Sequence, residues 1–156
     1  MVKQNASNGL SLEGTVRTPD QFTPEQLENF GRVFRWTPRF VVYPGSVRDV
    51  VTVVALCRKN QWSLTARGTA HSQSQLAINQ DGVLLEMQSM SRIGTLDEDA
   101  LTIDVEPGVV WSDLVHHVAA RGLVPPVLTN NLGVTVGGTL SMAGIGVASY
   151  RYGSQG

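Results

Sequence analysis

The residues best placed to do chemistry lie in the run Trp62-Ser63-Leu64-Thr65-Ala66-Arg67-Gly68-Thr69-Ala70-His71-Ser72. It opens apolar and β-branched, which predicts a strand, and then passes into a loop of Gly, Thr, Ala and Ser. Small side chains let successive backbone N–H groups approach a phosphate closely, and Gly68 adds backbone freedom that a residue with a Cβ lacks. That is the chemistry of an anion cradle, with His71 standing where a bound cofactor would come within reach. Taken alone, the same run also fits an ordinary exit from a strand into a turn.

A second stretch bears on that choice. Residues 129–146 read Thr-Asn-Asn-Leu-Gly-Val-Thr-Val-Gly-Gly-Thr-Leu-Ser-Met-Ala-Gly-Ile-Gly, five glycines in eighteen residues together with several hydroxyls. So many glycines disfavour a packed helix or a plain strand, and they predict that something approaches the backbone closely. A ligand with phosphates or a flat ring meets that description; a stack of tight turns is the alternative. No GxGxxG follows an early strand, and the spacing is not that of a Walker loop.

The remaining reactive side chains point elsewhere. His116 and His117 are adjacent on a predicted helix, about 100° apart, and cannot share the face that an i, i+4 metal site requires, so they read as solvated. Cys57, the single cysteine, falls on the apolar side of another predicted helix and reads as a small core residue. Asn5-Ala6-Ser7 matches a glycosylation sequon, but Met1 to Leu12 is polar and lacks the apolar core of a signal peptide. A reducing, cytoplasmic setting is therefore the expectation.

Short elements must position these residues. The segment 1–20 shows no sustained periodicity and reads as an arm. Thr23, Pro24 and Gln26 predict a capped helix to about Phe30, and Phe34 and Trp36 are candidate anchors. Arg39 to Tyr43 is a strand candidate ended by Pro44-Gly45. Ser46 caps a helix to Asn60, in which Val47, Val50, Val51, Val54 and Cys57 recur at helical spacing, with a strand as the alternative that the β-branched valines leave open. A strand over 83–87 follows the turn Asp81-Gly82. Residues 93–97 and 100–105 pair around Asp97-Glu98-Asp99. Val110, Leu114, Val115 and Val118 mark a helix to Arg121, with Gly122 beyond its end. The 156 residues, 42% hydrophobic and 16% charged, can bury a core, and one domain is the default. A formal charge of −1 without a basic run disfavours nucleic acid or an anionic membrane as partner.

The motifs ARGTAHS at 66–72, EPGVVWSDL at 106–114 and TVGGTLSMAGIG at 135–146, followed by SYRYGSQG, resemble the FAD-binding half of the vanillyl-alcohol-oxidase type (PCMH-type) flavoproteins. Within that group the sequence is most similar to cytokinin dehydrogenases and their bacterial relatives, whose loops read ARGRGHS and LTVGGTLSNAG. The likeness runs from about Pro38 to the last residue.

The resemblance implies an α+β fold, with a small βαβ-like subdomain followed by mixed or antiparallel strands and packed helices. Residues 1–37 would be an arm and short helix, and 38–156 the first part of the FAD-binding domain. The rest of that domain and the substrate domain would come from the same or another chain. It implies an oxidoreductase acting on an amine or alcohol through FAD, bonded covalently to His71. The positions matching cofactor contacts are Ala66, Gly68, Thr69, Ala70, His71, Ser72, Thr135, Gly138, Ser141 and Ile145. Three departures stand out. Ala70 replaces a usual glycine. Gly133 stands where some relatives carry a second, cysteinyl flavin link. Asn130 stands where cytokinin dehydrogenases place a catalytic aspartate, and an amide cannot take a proton as a carboxylate does; its role here would be to orient substrate or flavin.

Overall fold

The computed structural model describes residues 11–155. The sequon at Asn5 and the first half of the expected arm lie outside them. The described chain is α+β and divides between Ser89 and Met90 into two compact units.

The first unit is a four-stranded mixed sheet in the order β1-β2-β4-β3, with β1 Thr15–Arg17, β2 Phe40–Tyr43, β3 Leu64–Arg67 and β4 Val83–Glu86. β2, β3 and β4 run parallel, with Val42 and Ala66 both opposite Leu85. β1 pairs antiparallel with β2, Thr15 facing Tyr43. The expected arm is therefore part of the sheet from Thr15 onward. Leu12 belongs to the core, where it packs with Val42, Val53, Cys57, Val83 and Leu85. Residues with little periodicity can still form a strand when a neighbouring edge offers its N–H and C=O groups.

Helix α2, Val47–Asn60, connects β2 to β3 and begins where Ser46 Oγ accepts the Asp49 N–H at 3.3 Å. Asp49 does more than complete this turn. Its buried carboxylate accepts N–H bonds from Glu13 at 3.1 Å and from Gly14 and Gly45 at 2.8 Å, tying the lead into β1 to the helix start. The expected apolar face is rotated in the structure. Val53 and Cys57 are buried and Val50 packs on the core, whereas Val47, Val51 and Val54 are exposed. Valines occur on both sides of α2, so their spacing alone could not select the buried one.

The helix expected from Thr23 to Phe30 is a single turn, α1 Pro24–Leu27, in which Gln26 Oε1 accepts the Thr23 N–H at 2.8 Å. Beyond it the chain folds back, with Trp36 N–H donating to Leu27 O and Glu28 bridging to Arg35. Trp36 is half-buried. Phe34, expected as an anchor, is exposed.

In the second unit β5 Ile93–Asp97 and β6 Thr102–Val105 form the expected antiparallel hairpin, with a bulge between Ile93 and Leu96. Helix α3, Trp111–Ala119, buries Trp111, Leu114 and Val118 and ends before Gly122, whose φ of 72° is the left-handed value foreseen there. His116 and His117 are exposed.

The glycine-rich stretch contains a helix, α4 Val136–Ser141, followed by α5 Ser149–Tyr152. This corrects the expectation that the stretch is too rich in glycine for a helix. The close approach is real, but the approaching group is the chain itself. A Cβ on Gly137 would lie 2.6 Å from Pro107 Cβ, and one on Gly146 would lie 1.5 Å from Leu128 O. Helix α4 is pinned by Trp111 Nε1, which donates to Thr139 Oγ1 at 2.9 Å, and by Val136 N–H on Val109 O at 2.8 Å.

Candidate functional site

In the first unit the site is built from the carboxyl end of β3 outward. Ala66 is exposed near the end of this edge strand, and Arg67 turns inward. Its guanidinium is buried and meets Glu86 of β4 at 2.5 Å through Nη2, while Nη1 donates to Glu25 O at 2.9 Å. A buried charge requires such partners, since an unpaired one costs several kcal/mol, on the order of 3–5. Tyr43 belongs to the same neighbourhood and bonds Gln26 Nε2 through its hydroxyl. Burial, and then the Glu86 carboxylate, push its phenol above the usual value.

Past Arg67 the chain leaves the sheet. For the successive N–H groups of Gly68, Thr69, Ala70, His71 and Ser72 there is no acceptor among the described residues. N–H groups left out of secondary structure in a half-buried loop are what an anion needs. The required backbone freedom falls at Ala70 and not at Gly68: Ala70 has φ 58°, in the left-handed region. The Thr69 hydroxyl lies 3.0 Å from His71 Nδ1, which fixes the imidazole and leaves Nε2 open. Ser72 Oγ contacts Ser74 Oγ at 3.4 Å. A row of donors next to a held imidazole fits the pyrophosphate of a dinucleotide cofactor, and it would hold that group through the backbone.

The second unit treats its candidates differently. Thr135 is 2% exposed and caps α4, its hydroxyl accepting the Gly138 N–H at 3.2 Å. Ser141 Oγ donates to Gly137 O at 2.8 Å. What Thr135 and Gly138 contribute through these groups is the shape of the turn. Ile145 is 70% exposed and free to contact a ligand. Asn130 is exposed, with no hydrogen-bond partner for its side chain among the described residues. Its neighbour Asn131 closes the turn, accepting the Gly133 N–H at 2.8 Å. Among the described residues no three metal-ligating side chains gather, and no helix is long and apolar enough to cross a membrane.

Sequence reasoning overlooked two features of this site. One is the pairing of Arg67 with Glu86, although an arginine at the end of one strand and a glutamate at the end of the next were both in view. The other is Asn29, buried and bonded to Gln73 O through Nδ2 at 2.8 Å, for which no local signal existed.

A family model described as an FAD binding domain matches residues 38–156. An uncharacterized oxidoreductase in the fasciation locus of Rhodococcoides fascians is 35% identical over 144 residues, covering 92% of this chain and 32% of its own length. Cytokinin dehydrogenase 1 of Oryza sativa subsp. japonica is 32% identical over 153 residues, covering 94% of this chain and 29% of its own length. Cytokinin dehydrogenase 3 of Arabidopsis thaliana is 36% identical over 147 residues, covering 91% and 28%. The chain thus spans about a third of the length of these relatives.

Proposed function

This chain belongs to the FAD-binding-domain family, and from that premise we propose that it is the cofactor-holding part of an FAD-dependent oxidoreductase acting on an amine or an alcohol. The similarity to an oxidoreductase and to cytokinin dehydrogenases supports the reaction class. When bound, FAD supplies the redox chemistry, taking a hydride from the substrate and passing electrons to dioxygen or another acceptor. The chain's residues bind and orient. The open N–H groups of 68–72 take up the negative charge of the pyrophosphate. Thr69 holds the His71 imidazole by Nδ1, and His71 would carry the flavin. The remaining cofactor contacts and the substrate pocket come from further domains in the same or another chain, in a cytoplasmic setting.

The observation that carries this reading is the 68–72 loop, a run of N–H groups with no acceptor among the described residues, beside an exposed, hydroxyl-held imidazole. Acid precipitation of the purified protein tests it. Flavin colour is expected in the pellet, and His71→Ala is expected to move it to the supernatant. Complete release from the wild type would show that the link is not covalent.

Asn130 favours a second reading, a flavin-binding module without turnover. An exposed amide has no useful basicity, and positioned general-base catalysis is worth roughly 10²–10⁴ in rate. Protein that stays yellow with every amine or alcohol donor, cytokinins included, would select this reading. Rapid bleaching by a cytokinin would dismiss it.

A further inference from the structure

We propose that residues 25–30 form a strap that positions the His71 imidazole, with Phe30 as the positioning residue at its centre. The inference rests on reading His71 as the residue that carries the flavin. It goes beyond that reading because the strap lies ahead of residues 38–156, the part of the chain that the family model matches.

Three contacts define the strap, all within the first unit. At the start of the loop, Arg67 Nη1 donates to Glu25 O at 2.9 Å. At its end, Asn29 Nδ2 donates to Gln73 O at 2.8 Å. Between them the Phe30 and His71 rings meet with centroids 5.1 Å apart and planes inclined by 31°. Both anchors are themselves fixed. Arg67 is buried against Glu86, and Asn29 Oδ1 accepts the N–H groups of Val33 and Phe34, each at 3.0 Å. Neither can swing to relieve the loop.

The loop needs such support because it lacks its own. With no backbone hydrogen bond from residues 68–72 to any of the described residues, its conformation is set by contacts with other segments. Attachment replaces the imidazole N–H and one 8α C–H of the flavin by an N–C bond. The two hydrogens and two electrons pass to the flavin ring and from it to dioxygen. Such a bond forms only from a ring nitrogen held near a single carbon, so fixing the imidazole raises the rate by orientation. Phe30, 55% exposed, has little other structural work to do.

Phe30→Ala, Phe30→Tyr and the wild type are harvested over a time course of expression. Total flavin, acid-precipitable flavin, intact mass and melting temperature are measured for each. Phe30→Ala is expected to slow the appearance of the covalent adduct about fivefold, the rate equivalent of one aromatic pair, at unchanged total flavin and melting temperature. Phe30→Tyr, which keeps the ring, is expected to match the wild type. Adduct formation at the wild-type rate in Phe30→Ala overturns the proposal while leaving the His71 reading intact. A loss of melting temperature or total flavin in step with the adduct also overturns it, since Phe30 would then serve only folding. Wild-type protein that releases all its flavin refutes the His71 reading itself, and the positioning role falls with it.

Discussion

Ala70 shows how one methyl group weighs on this site. At φ 58° its Cβ crowds the following carbonyl, a conformation that costs an L residue about 1–2 kcal/mol. Glycine would remove that strain but gain freedom in the unfolded chain, worth about 0.4–1 kcal/mol the other way. The strain term is the larger, so Ala70→Gly is expected to stabilise the protein by about 0.5–1 kcal/mol in urea unfolding. A variant no more stable than wild type would mean that the loop relaxes at Ala70. The loop's neighbours explain why the strain persists: Arg67 and Gln73 are tied at either side of the turn, and the chain between them must close the gap.

At the scale of elements, glycine in the second unit serves packing before it serves a ligand. Helix α4 lies so close to Pro107 that a Cβ on Gly137 would meet its carbonyl oxygen at 2.8 Å. Gly137→Ala improves helix propensity by about 1 kcal/mol, yet it forces α4 off the 106–109 segment. Overpacking of this kind typically costs about 1–3 kcal/mol, and the bonds of Gly137 N–H to Pro107 O and Val136 N–H to Val109 O would stretch with it. A net loss of about 1–2 kcal/mol is expected by denaturant unfolding. An unchanged or more stable variant would show that α4 is loosely held and that its glycines answer to something other than Pro107. Helix α2 illustrates the same principle from outside: Val47, Val51 and Val54 face solvent because Asp49 and the core residues Val53 and Cys57 already fix its rotation.

For the whole molecule the surface is the informative quantity. Leu140, Met142, Ile145, Val147 and Tyr150 are all exposed within a short segment, Val147 at 85% and Tyr150 at 88%. Apolar side chains concentrated in this way mark a surface meant to be covered, by cofactor or by protein. The relatives are about three times as long as this chain. Residues 1–156 expressed alone are therefore expected to take up FAD incompletely and to unfold at lower urea than the same residues within a chain of the relatives' length. Flavin content after gel filtration and the unfolding midpoints of both preparations test this. Full FAD occupancy and an equal midpoint for the shorter preparation would contradict it.

The sequence by itself determined what is local. Ser46, Pro24 with Gln26, Gly122 and the hairpin around Asp97 act over three or four residues, so capping and turn chemistry located their elements directly. The ordered motifs at 66–72, 106–114 and 135–146 placed the chain among flavoproteins, because each combines residue types that local structure alone does not demand. Tertiary structure decided what depends on distant partners. It turned α2 so that Val53 faces inward, drew Thr15–Arg17 into the sheet, and made Gly137 and Gly146 contact points for backbone more than fifteen residues away. It also brought Asn29 to Gln73 and Phe30 to His71. No pattern in sequence encodes such meetings, since they follow from the closing of the chain around a core and from the need of every buried donor and acceptor to find a partner.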